Sequence, residues 1–169
     1  MRGLVALSLA LLTAGCMPRT VVQEERIVVE ERVVRTAEVG LTAADSAAVE
    51  SAVRGVLAAQ VEAWNAGNIR GFMDGYWRSL EMRFLSGGSV RMGWQDAYYA
   101  YVRAYPDRAS MGTLTFSELT VRPLTAGSAL AWGRWQLERG DDAPGGLFTL
   151  LLENRDGEWL VVHDHTSSD

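Results

Sequence analysis

Between Thr113 and Thr166 the chain alternates apolar stretches with short turn-forming ones, and this pattern narrows the fold before anything else does. Thr113–Arg122, Ala129–Glu138, Leu147–Glu153 and Glu158–Thr166 are rich in β-branched, leucine and aromatic residues. Pro123–Ser128, Asp141–Gly146 and Asn154–Gly157 supply the Gly, Pro, Asn and Asp that turns need. Connections this short join antiparallel neighbours, because a parallel return needs a long crossover. In the first strand Leu114 and Phe116 are out of phase with Leu119 and Val121. One extra residue near Ser117-Glu118 restores the phase, so a bulge is expected there and the sheet must bend. A bent sheet with an apolar face requires a second layer to cover it.

The preceding residues supply that layer. Val49, Val53, Val56, Leu57, Val61 and Trp64 follow helical spacing behind a start signal at Thr42-Ala43-Ala44-Asp45, and Gly67 is the expected stop. A second, shorter helix begins near Asn68 and puts Ile69, Phe72, Met73 and Tyr76 on one side. Met82–Leu85 and a partner ending at Met92 read as a small hairpin around Ser86-Gly87-Gly88-Ser89. A third helix runs from about Trp94 to Tyr105 and ends before Pro106. The expected fold is α+β and cone-shaped. Three N-terminal helices pack on a strongly bent, mainly antiparallel sheet, in the order α-α-β-β-α-β-β-β-β.

The start of the chain is different in kind. MRGLVALSLALLTAGC has a charged beginning, an apolar run from Leu4 to Leu12 and small residues before Cys16. It is too short to span a bilayer. Cys16 is the only cysteine, which rules out an intramolecular disulfide. Its place resembles that of the lipidated cysteine in a bacterial lipoprotein signal, with Thr13 where leucine is usual. The resemblance implies residues 1–16 as signal peptide, lipidation at Cys16, and a protein exported across the inner membrane and anchored in the envelope. Met17 after the cysteine points to the outer membrane, facing the periplasm. A plain signal peptide with an incidental cysteine is the alternative. Residues 17–41, MPRTVVQEERIVVEERVVRTAEVGL, read as a charged tether.

The domain itself spans residues 42–169. The net charge of -5 excludes the basic face that a nucleic-acid binder needs. There is no phosphate-binding Gly loop, because Gly87-Gly88 sits in a hairpin rather than between a strand and a helix. No cofactor fingerprint and no nucleophilic Ser or Cys motif is present, so no cofactor is expected.

The segments AWNAGNIRGFMDGYW, GWQDAYYAYVRAYP, AWGRWQLERG and GLFTLLLENRDGEWLVVHDHTSS, in this order of elements, resemble the SnoaL-like branch of the nuclear transport factor two-like superfamily. The likeness covers about residues 46–168. It implies a curled sheet whose pocket is closed by helices, and a homodimer through the outer sheet face. It does not imply one activity, because members include isomerases, dehydratases, cyclases and adaptors. The steroid isomerases of this superfamily carry a catalytic aspartate after the first short strand. Ser86 stands near that place here and cannot serve as the same base. Gln60 and Trp64 occupy the region of their helix-one tyrosine.

The candidate site residues are of two kinds. His163 and His165, the only histidines, flank Asp164 on the last strand. By strict alternation they share a face with Trp159 and Val161, while Asp164 joins Leu160 and Val162 on the other. Facing the cone, the imidazoles would be general acid-base candidates, with Tyr76 or Tyr98 as donor. A metal site would need Glu81 or Glu118 to complete a ligand set, and no spacing points to either, so none is expected. Tyr76, Trp77, Trp94, Tyr98, Trp135 and Phe148 are the candidate ligand-binding aromatics. Trp132 and Trp135 should face opposite ways, with Arg134 beside Trp132. The expected function is binding of a small apolar or amphipathic molecule in an aromatic-lined pocket. Two alternatives stand beside it. One is a cofactor-free lyase, isomerase or hydrolase using a pocket histidine; the other is a non-catalytic dimeric interaction module.

Overall fold

The first helix, α1 (Ala43–Asn65), starts where the sequence signals it. The Thr42 hydroxyl accepts from the Asp45 N–H at 3.1 Å and donates to the Asp45 carboxylate at 2.6 Å. Such a cap stabilises a helix by about 1 kcal/mol. Val49, Val53, Leu57, Gln60 and Trp64 form its buried stripe. At the far end the Asn68 N–H bonds to Ala63 C=O at 2.8 Å and the Gly67 N–H to Trp64 C=O at 2.8 Å. Gly67 has φ +78°, the left-handed conformation this double closure requires. This computed structural model describes residues 40–140 and 142–169. The signal peptide, Cys16 and all but the end of the tether lie outside the described residues.

Asn68 caps α2 (Ile69–Asp74) by accepting from Gly71 N–H at 2.8 Å. β1 (Arg83–Ser86) and β2 (Ser89–Met92) pair across Gly87-Gly88, both at positive φ as the tight turn demands. α3 (Trp94–Ala104) follows, and then a one-turn helix, α4 (Arg108–Met111), that was not expected. Asp107 and Ser110 cap each other around α4, a three-residue spacing that is visible in the sequence. The long strands are β3 (Thr113–Thr125), β4 (Ser128–Glu138), β5 (Gly145–Arg155) and β6 (Glu158–Thr166).

All six strands form one curved sheet in the order β2-β1-β6-β5-β4-β3. Every neighbouring pair is antiparallel except β1 with β6. The expected bulge is present: the β3–β4 register shifts between Ser117 and Thr120, and Glu118 takes φ +52°. α1 lies across β3, β4 and β6, and the fully buried Val53, Leu57, Met73, Met82, Leu152 and Val161 mark the core between helices and sheet.

A second bulge changes the expected facing of the last strand. Leu152 pairs with Val161 but Leu151 pairs with His163, which leaves Val162 extra. The phase of β6 therefore reverses at Val162. Val161 is buried with Leu152, and Asp164, not a histidine, is the next inward residue. The expected common face of Trp159, Val161, His163 and His165 is split in two.

Candidate functional site

Sheet register determines which side chains meet inside the cone. Neighbours directly opposite each other share a face. One inward row crosses the sheet from Arg91 through Phe84, Asp164, Leu150 and Ala131 to Val121. The next row is Ser89, Ser86, Thr166, Phe148 and Gly133. A Cβ at Gly133 would sit 3.1 Å from the Phe148 ring and 2.8 Å from Ser117 O, so the missing side chain is what admits that ring. The helices supply the opposite wall, with Gln60 and Trp64 from α1, Phe72 from α2 and Tyr101 from α3.

These walls enclose a cavity of about 350 Å³. Its lining is largely aromatic. Trp64 meets Phe72 edge-on at 5.1 Å and Tyr105 at 4.8 Å, and Tyr101 meets Phe72 at 5.3 Å and Phe84 at 5.5 Å. Phe116 and Phe148, 4.9 Å apart, line the other side. Edge-to-face pairs of this kind hold rings in fixed orientations. The Trp64 indole N–H is bonded to Met111 C=O at 3.0 Å, and the Gln60 amide donates to Phe72 C=O at 3.1 Å.

The polar centre of this cavity is Asp164, buried to 2 % exposure. The Tyr76 hydroxyl donates to its Oδ2 at 2.7 Å, and the Thr166 hydroxyl donates to Oδ1 at 2.6 Å. Burial pushes the Asp164 carboxyl up to about 6, while the Thr166 and Tyr76 bonds and the charge of His165 hold it back. Tyr76 is raised well above its ordinary value by burial and by the neighbouring Asp164 charge, so it stays a neutral donor. Burial and Asp164 likewise raise Tyr101, and Arg91 opposes that rise. A carboxyl titrating near neutrality, at the floor of an aromatic cavity and next to a neutral phenol, can accept or return a proton on a bound molecule.

The sequence-named residues divide accordingly. Tyr76, Trp135 and Phe148 line the cavity. The Trp135 indole N–H also ties down the C-terminal segment through Ser167 C=O at 2.9 Å. Trp77, Trp94 and Tyr98 do not line it. Arg155 stacks on Trp77 at 4.0 Å. Trp94 donates to Met73 C=O at 2.8 Å and stacks on Tyr98 at 5.2 Å, with Arg70 above it at 4.6 Å. His163 and His165 lie on the outer face, where the register pairs His165 with Leu85 and Thr149, and His163 with Arg83 and Leu151. Trp132 faces outward and Trp135 inward, but Arg134 pairs with Asp169 at 2.6 Å instead of stacking on Trp132. Among the described residues no three His, Cys, Asp or Glu side chains converge as a metal site, with or without Glu81 and Glu118.

The residues missed as site members are Asp164, Thr166, Tyr101 and Arg91. Asp164 carried a signal, as the acid between the two histidines at the end of an apolar strand, but only the bulge at Val162 turns it inward.

Comparison with solved structures locates this geometry among known proteins. An NTF2-like protein of unknown function from Shewanella oneidensis MR-1 matches at 38% identity and a TM-score of 0.68, over 70% of this chain and 98% of its own. An NTF2-like protein of unknown function from Pseudomonas putida KT2440 matches at 22% identity and a TM-score of 0.60, over 72% of this chain and 87% of its own. An NTF2-like superfamily protein from Salmonella enterica serovar Typhimurium LT2 matches at 16% identity and a TM-score of 0.58, over 72% of this chain and 91% of its own. The last two matches show the fold alone. No protein-family model and no curated protein matches the chain.

Proposed function

The chain belongs to the NTF2-like superfamily, and from that premise we propose that it is a SnoaL-like domain binding a small, largely apolar molecule inside its cone. One observation carries this reading: a single buried carboxyl with two hydroxyl donors sits at the floor of an aromatic cavity of about 350 Å³. The aromatic walls supply affinity and the Tyr76–Asp164–Thr166 group fixes orientation. Native mass spectrometry of the purified protein is the test. A retained small-molecule mass that disappears in Asp164→Asn is the expected result. Empty wild-type protein that also takes up no apolar probe would overturn it.

A second reading, acid-base catalysis, is favoured by the position of Asp164 near neutral titration. In this reading Asp164 replaces the histidines as the proton-transfer group and Tyr76 is the donor. The rate would show a limb near pH 6, and Asp164→Asn would lose it.

Two further parts of the proposal concern the whole protein. The lipoprotein-like signal supports an envelope protein held by acyl chains on Cys16, so Cys16→Ser should move it from the membrane to the soluble fraction. Among the described residues no helix is long and apolar enough to cross a membrane. The outward Trp132 and Leu147 support a homodimer through the outer sheet face.

A further inference from the structure

Arg91 is a charge that the cavity contains and the fold leaves unused. Among the described residues, Arg54, Arg70, Arg78, Arg134, Arg139 and Arg155 each pair with a carboxylate. Arg83 and Arg108 donate to backbone carbonyls. Arg91, Arg103 and Arg122 have no carboxylate of a described residue within 4.0 Å, and of these three only Arg91 lines the cavity. Its inward direction follows from register, because it pairs with the buried Phe84. It is partly buried, where an unpartnered charge costs more than it does in open water.

Asp164 is not its partner. No oxygen of the Asp164 carboxylate lies within 4.0 Å of a guanidinium nitrogen of Arg91. β1 stands between β2 and β6 in the sheet, which separates the two backbones by about 10 Å at the usual strand spacing. The space between holds the Phe84 and Tyr101 rings. Ser86 and Ser89 add hydroxyls on the Arg91 side. The lining therefore has a cationic end, an aromatic middle and an end where Asp164 and Tyr76 offer hydrogen bonds.

We propose that the cavity is a site for a small flat molecule bearing a carboxylate at one end, held by Arg91, and a hydroxyl or carbonyl at the other, held by Asp164 and Tyr76. This rests on the binding reading above and names its ligand class. A guanidinium with Ser hydroxyls beside it matches a carboxylate by charge and by planar geometry. An aromatic or alicyclic body fits the ring-lined middle. An uncharged terminal group fits Asp164, whose buried carboxyl would repel a second anion.

The test uses 6-hydroxy-2-naphthoate and its methyl ester, two fluorescent probes that differ by one charge. Each is titrated at pH 7 into the full chain in mild detergent, for wild type, Arg91→Met and Arg91→Lys. The acid should bind wild type about tenfold or more tighter than the ester, as expected for one charge-assisted contact. Arg91→Met should bring the acid down to the ester's affinity and leave the ester unchanged, which also shows the pocket intact. Equal binding of acid and ester to wild type overturns the carboxylate assignment and leaves the binding reading standing. Binding of neither probe up to saturation removes both. If Arg91→Met loses the ester as well, Arg91→Lys decides: a retained preference for the acid supports the proposal, and a lost preference overturns it.

Discussion

Asp164 is an acid whose ionisation the fold opposes. Its carboxyl rises from the ordinary 3.8 to about 6, roughly two units, which corresponds to about 3 kcal/mol. The folded state holds this proton more tightly than the unfolded chain does. The resulting stabilisation is complete below the ordinary carboxylate value and is lost as pH rises through about 6. Asp164→Asn removes the titration. Thermal melts at pH 5 and pH 8 should show the variant gaining on wild type as pH rises, by about 1.4 kcal/mol between these two pH values, because the rest of the effect is already lost below pH 5. A gap independent of pH would mean that Asp164 is not buried as described. Tyr76→Phe should act in the opposite sense. It removes the 2.7 Å donor to Asp164, a charge-assisted bond of about 1.5–3 kcal/mol, so its cost should be larger at pH 8 than at pH 5.

Strand β6 shows how one inserted residue decides a site. With the bulge at Val162, Asp164 enters the cone and both histidines leave it. His163→Ala and His165→Ala should therefore leave probe affinity within about threefold of wild type by fluorescence titration, less than 1 kcal/mol. The comparable bulge at Glu118 was readable because Leu114 and Phe116 fall out of phase with Leu119 and Val121. The one in β6 was not, because Trp159-Leu160-Val161-Val162 is apolar in both phases and alternation gives no preference. Helix ends were legible for a local reason: Thr42, Asn68 and Gly67 each act on neighbours within a few residues. The aromatics were legible as a class but not by location. Trp77 and Trp94 are engaged with Arg155 and Arg70, contacts that periodicity cannot report. Backbone proximity is similarly hidden. Gly146 reads as a turn residue, yet a Cβ there would lie 2.8 Å from the Ser167 carbonyl carbon and 2.9 Å from Ser168 Cα. Gly146→Ala should displace the C-terminal residues from β5 and lower the melting temperature by several degrees, about 1–3 kcal/mol.

At the scale of the whole molecule the cone has two differently used faces. The inner face carries the cavity, while the outer one leaves Trp132 at 37% and Leu147 at 51% exposure. If a second copy covers that face, Trp132→Glu should convert a dimer to a monomer in sedimentation velocity without changing probe binding in the cone. A wild-type monomer at micromolar concentration would end the dimer proposal. The strand order has a separate consequence for how the protein is made. Among the described residues β6 is the only strand that pairs with both the β1–β2 hairpin and the β3–β5 meander, and it follows both in the chain. Until residues 158–166 emerge, the two parts of the sheet share no strand and the cavity lacks Asp164 and Thr166. A product of this order acquires both its continuous sheet and its buried acid only once β6 has been made.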